Sequence, residues 1–176
     1  FMSGGLELMV DNLVDALRGS GHRAEVVSLP TAWDRERLYD AAMAWRLIPL
    51  DAELVIPVNF PAYFARHPDK VPWLAHQHRA AYDALGQPWS DFHLDGPSLD
   101  DHRQLLDWDI RALAESTRRY AISEVVARRM RRWCGLDATA LYQPPPLADR
   151  ITPRAGGVGD HILCPTRLEG NKRPGL

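Results

Sequence analysis

Over residues 6–17, Leu6, Met9, Val10, Leu13, Val14 and Leu17 recur at three- and four-residue spacing, with Asp11, Asp15 and Arg18 lying off that stripe. That period makes one apolar face of a helix. Ser3 stands where a cap would start it, and Gly19 and Gly21 where it would stop. "RAEVVSL" follows and predicts a short β-branched strand. "DRERLYDAAMAWRL" returns to helical spacing, with Leu38, Ala41, Ala42 and Trp45 inward. "AELVIPVNF" is a near-continuous apolar run, the pattern of a strand buried on both faces, and Pro57 marks where its regular pairing ends. "KVPWLA" predicts another strand and "HRAAYDAL" a helix. Residues 87–100 are rich in Pro, Gly, Ser and Asp and predict a loop. "LDDHRQLLDWDIRALAEST" predicts a long helix, "RRYAIS" a strand, "EVVARRMRRWCG" a helix and "ATALYQ" a last short strand.

Strands alternating with helices predict an α/β fold: a Rossmann-like parallel sheet with helices on both faces. Residues 1–143 make the first domain. "PPPLADRITPRAGGVG", residues 144–159, has linker chemistry, stiff where the prolines cluster and flexible where the glycines do. Beyond it "HILCPT" predicts the first strand of a second domain, residues 160–176. No strand precedes Gly4, and the second domain has barely begun at Leu176, so the expectation is a fold truncated at both ends.

Composition narrows the function classes. The chain has 176 residues, 45% hydrophobic and 25% charged, with a formal net charge of -2. There is no global basic field, so binding driven by phosphate neutralisation is not expected and nucleic acid is not an expected partner. Cys134 and Cys164 match no CxxC pattern and read as reduced thiols in a cytoplasmic protein. No run approaches the roughly 20 apolar residues that span a bilayer.

In open parallel sheets, ligands bind in the loops at the carboxyl ends of strands. That rule selects Gly4 and Gly5 before the first helix, Asn59 after "LVIPV", His76 and His78 after "VPWLA", and Ser123 after "RYAI". Gly4 and Gly5 serve either a tight turn or the close approach of backbone to an anion at a helix start. His76 and His78 form an HxH pair, but no acidic or cysteine partner stands at metal-ligand spacing, so no metal is expected. His76, nearest the strand end, is the better candidate to face a cleft. Asp83 reads as an i, i+4 surface partner of Arg79. "RRMRRW" reads first as a solvated face, and second as a contact with anionic lipid headgroups. Arg167 and Lys172 follow "HILCPT". They offer a fork and a point charge for a diphosphate, or else belong to a cationic tail.

"SGGLELMVDNLVDALRGSGHRAEVVSLP", "ELVIPVNFPAYFARHPDKVPWLAHQHRAAYD" and above all "CPTRLEGNKRP" resemble retaining glycosyltransferases of the GT-B fold, family-four type. The resemblance covers nearly the whole chain. It implies transfer of a sugar, with retention, from a nucleotide-diphosphate donor to a glycan or lipid-linked acceptor, as in cell-surface polysaccharide synthesis. Residues 1–143 would be the acceptor-side domain. Gly4 and Gly5 would lie near the donor's diphosphate, His76 would touch the donor sugar, and Arg167 and Lys172 would hold the diphosphate. Asn59, His78 and Ser123 would line the acceptor side. No cofactor or metal is implied, and the location would be cytoplasmic, at or near the inner face of the membrane. With most of the donor domain missing, the fragment alone is expected to be inactive. The alternatives are a GT-B nucleotide-sugar 2-epimerase, for which no convincing carboxylate pair stands at the strand ends, and a non-catalytic α/β binding module.

Overall fold

The computed structural model of the chain describes residues 4–145 and Arg150. The chain divides into two units, Phe1–Gln143 and Pro144–Leu176. Within the first, the described elements form a mixed α/β fold. The helices are α1 (Gly5–Gly19), α2 (Leu38–Leu47), α3 (Gly96–Ala114) and α4 (Glu124–Cys134). The strands are β1 (Trp73–Leu74), β2 (Tyr120–Ala121) and β3 (Thr139–Ala140). They form one open parallel sheet in the order β1-β2-β3, with Leu74 opposite Ala121 and Ala121 opposite Ala140. Beside β1 runs the segment 55–59, which makes the parallel bridges Val55–Lys70 and Asn59–His76 to residues on either side of β1. Between those bridges pairing is irregular: Trp73 N–H donates to Pro57 O at 3.0 Å, but Pro57 and Pro72 have no N–H to donate. The long strand expected over 52–60 is therefore reduced to two bridges.

Three further expectations are corrected. Residues 23–29 are not a strand. They meet no ladder partner among the described residues, and Val26 and Val27 are exposed. A β-branched run without a neighbouring strand leaves its backbone groups to water. Residues 78–85 are not an α-helix. Only the 3-10 turn Arg79–Ala81 forms, and Tyr82, at φ -115 and ψ -88, turns the chain so that its ring is buried and its hydroxyl reaches Asp109. Asp83 accordingly pairs with Arg129 rather than Arg79. Lastly, α3 begins within the expected loop, at Gly96. Asp95 Oδ1 accepts from Ser98 N at 2.9 Å, and Pro97 sits in the first turn, where its missing N–H costs nothing.

The other helices follow their patterns. All four inward positions of α2 (Leu38, Ala41, Ala42 and Trp45) are buried. α4 buries Val126, Ala127, Met130 and Cys134 against β2 and β3 and stops at Gly135, whose φ of 66 suits glycine. α1 is different: of its stripe only Met9 is buried, and Leu6, Val10, Leu13, Val14 and Leu17 are half-covered. The core lies between the sheet and α2, α3 and α4, with Phe60, Tyr63, Phe64, Leu74, Tyr82, Phe92, Leu105, Leu113 and Met130 at its centre. Among the described residues no helix is long and apolar enough to cross a membrane.

Candidate functional site at the carboxyl edge

The parallel register brings three of the expected residues to one edge. Leu74 and Ala121 are partners, so His76 and Ser123 stand two residues beyond them on adjacent strands, and Asn59 bridges to His76 from the other side. Phe60 N–H donates to His76 O at 3.3 Å, which ties the two loops at their roots. His76 is half-buried and its Nδ1 lies 2.9 Å from Gln77 O. A carbonyl only accepts, so Nδ1 carries the proton and Nε2 keeps its lone pair. Burial holds the imidazole below its ordinary pKa; the Gln77 hydrogen bond opposes that, and the Arg79 and Arg129 charges add to it. At neutral pH His76 is an uncharged ring able to accept a hydrogen bond or a proton.

His78 has other surroundings. Its ring is buried, stacked on Trp33 at 6.1 Å between centroids and 9° between planes, with Phe60 at 5.1 Å and Phe92 at 5.7 Å. Burial drives its pKa down to about 4. His78 Nε2 has no hydrogen-bond partner among the described residues. His78 is thus a packing residue, and the HxH pair is split between an edge and a core. Ser123 caps α4, its Oγ accepting from Val126 N at 3.3 Å.

Gly4 is the N-cap of α1, and its N–H donates to Glu7 Oε2 at 2.9 Å. The start of α1 therefore already faces a carboxylate, which an incoming anion would have to displace. Gly4 has φ -105, accessible to any residue, and a side chain at Gly5 would meet open space. No described hydrogen bond joins the glycine pair to the Asn59–His76–Ser123 row. Arg167 and Lys172 lie outside the described residues. Two open grooves occur elsewhere. One, of about 330 Å³, includes Arg118, Arg119 and Arg131; the other, of about 310 Å³, includes Asp34, Asp91 and Asp95. Among the described residues no group of three or more His, Cys, Asp or Glu is arranged to hold a metal ion.

Two buried ionisable side chains stand behind this edge, Asp109 and Lys70. Asp109, wholly buried in α3, accepts from Tyr63 Oη at 2.8 Å, from Gln77 Nε2 at 3.4 Å and from Tyr82 Oη. Gln77 Nε2 also reaches Cys134 Sγ at 3.2 Å. Lys70, equally buried, donates to Tyr63 O (3.0 Å), Ala65 O (3.0 Å), Ala112 O (2.8 Å) and Glu115 Oε2 (3.2 Å). Arg46 closes on Glu115 through both of its terminal nitrogens, at 3.0 and 2.5 Å. Burial pushes Lys70 down, while the hydrogen bond from Arg46, above all, pulls Glu115 below the usual carboxylate range.

Among the described residues no cation stands beside Asp109. Burial therefore outweighs its three hydrogen bonds and raises its pKa from 3.8 to about 7. A raised acid binds its proton more tightly when folded, so its stabilising share is complete below about pH 4 and is lost as pH rises through about 7. The buried histidines oppose this at the acid end, because each must stay neutral to remain packed. Comparing the chain with Asp109→Asn isolates the carboxylate. Between pH 5 and 8 the urea midpoint of the native chain is expected to fall relative to that of Asp109→Asn; parallel midpoints would place the folded Asp109 pKa below that window.

No protein-family model matches this chain, and neither a curated protein nor a solved structure does.

Proposed function

We propose that the chain is the acceptor-side half of a retaining GT-B glycosyltransferase, a Rossmann-like sheet with helices on both faces. It would move a sugar from a nucleotide-diphosphate donor to a glycan or lipid-linked acceptor in the cytoplasm, at or near the inner face of the membrane. One observation carries the reading: Asn59, His76 and Ser123 lie in a row at the carboxyl ends of parallel strands, where such sheets bind ligands. The neutral, half-buried His76 suits contact with sugar hydroxyls, because its Nε2 accepts and carries no charge to desolvate. The "CPTRLEGNKRP" resemblance supplies Arg167 and Lys172 as the groups that hold the diphosphate and stabilise the departing nucleotide. Neither a metal nor a cofactor is needed if those two cations neutralise the leaving group.

A nucleotide-sugar 2-epimerase needs carboxylates for proton work beside the sugar. The buried carboxylate nearest this edge, Asp109, is enclosed by side chains rather than turned to a ligand, which keeps epimerisation the weaker reading. The test is to incubate the natural protein with nucleotide-diphosphate sugars, with and without glycan or lipid-linked acceptors. Nucleoside diphosphate release that depends on acceptor is the expected result. Epimerised donor in the absence of acceptor would establish the epimerase instead, and binding without either reaction would establish a binding module.

A further inference from the structure

Donors from two loops meet on one carboxylate. Tyr63 follows Asn59 by four residues, Gln77 separates His76 from His78, and Tyr82 ends the same stretch. All three reach Asp109 in the middle of α3. The Tyr63 backbone is also gripped by Lys70, so that residue is held at both ends. Tyr63, Gln77, Tyr82 and Asp109 are all buried. At that depth a donor that leaves Asp109 becomes an unpaired buried group, so few other arrangements of the loops are accessible.

We propose that Asp109 is a positioning residue for the carboxyl-edge site: it fixes the loop bearing His76 against the loop bearing Asn59. The immediate link is Gln77. Its side chain is tied to Asp109 while its carbonyl accepts the His76 Nδ1 proton. Gln77 thus connects a carboxylate in α3 to the tautomer of an imidazole at the sheet edge. A positioning role in sugar transfer rests on the function proposed above; the anchoring itself does not.

The His76 titration reads the anchoring directly. The charged groups acting on it are Arg79 and Arg129, which lower it, and Asp83, which raises it. Facing Asp109 are Tyr63, Tyr82, Gln77 and Cys134, none of them cationic. If the loop is released, His76 gains water and its pKa rises toward the ordinary 6.5. Asp109, with its pKa raised to about 7, is largely protonated where His76 titrates, so replacing it without releasing the loop leaves the His76 pKa unchanged. A rise therefore separates anchoring from simple electrostatics.

The experiment titrates His76 by NMR in the native chain, in Asp109→Asn and in Tyr82→Phe, with Met9→Ala, a buried position of α1 outside the core cluster that holds Tyr63 and Tyr82, as the control. The expected result is an upward shift of His76 in both network variants and none in Met9→Ala. An unchanged or lowered His76 pKa in a folded network variant overturns the proposal, as does an equal rise in Met9→Ala. Should Asp109→Asn not fold, Tyr82→Phe decides alone. No substrate is used, so failure here leaves the transferase reading standing, and failure of the transfer assay leaves the anchoring standing.

Discussion

Methionine in place of Lys70 is expected to lower the unfolding free energy by about 3–5 kcal/mol. The ammonium is wholly buried and donates to three carbonyls and one carboxylate. Tyr63 O and Ala65 O belong to the turn around 62–64, and Ala112 O to the last turn of α3. Methionine keeps the apolar stem but offers no proton, so these carbonyls lose a donor that buried surroundings do not replace. Each carbonyl left unsatisfied costs roughly 1–3 kcal/mol. Glu115 retains Arg46, which limits the loss on that side. Against a total stability of roughly 5–15 kcal/mol for a folded domain, the change is large. Urea unfolding followed by circular dichroism measures it. A difference below about 1 kcal/mol, the size expected for an exposed pair such as Arg103–Asp100, would show that the Lys70 cluster does not tie the turn to α3.

The helices were legible in the sequence because their signal is local and repeated. Leu38, Ala41, Ala42 and Trp45 fall on one face whatever the rest of the chain does, and all are buried. The segments 23–29 and 78–85 were misread because their state depends on partners elsewhere. The first has strand composition but no neighbour to pair with among the described residues. The second has helix formers, but Tyr82 gains more by burying its ring and bonding Asp109 than by continuing a helix. Of the site, the Asn59–His76–Ser123 row followed from a rule about strand ends, which asks only for strand order. Its support did not follow. Lys70 opens the segment "KVPWLA" and looks there like any surface lysine. Asp109 was findable: Leu105, Ala112 and Leu113, at positions -4, +3 and +4 from it, are buried, so it interrupts an apolar stripe. A lone carboxylate on such a stripe signals a buried polar cluster, although only the fold names its donors.

The other large expected effect concerns residues beyond those the structure describes. Alanine at Arg167 or at Lys172 is expected to reduce sugar transfer by about 10²–10³-fold each, the range found when one preorganised donor to a developing charge is removed. As the sugar–oxygen bond breaks, negative charge grows on the departing nucleotide diphosphate. Arginine can meet two of its oxygens with a planar fork, and lysine supplies a compact charge. The loss should fall on turnover rather than on folding, because both positions lie outside the unit that holds the described core.

The most direct measurement is the initial rate of sugar transfer from a nucleotide-diphosphate donor by the natural protein, Arg167→Ala and Lys172→Ala, with the anomeric configuration of the product read by NMR. Retaining transfer by the natural protein, reduced by about 10²-fold or more in each variant whose circular dichroism is unchanged, is the predicted result. Transfer at near-natural rates in both variants would contradict glycosyl transfer through these two cations.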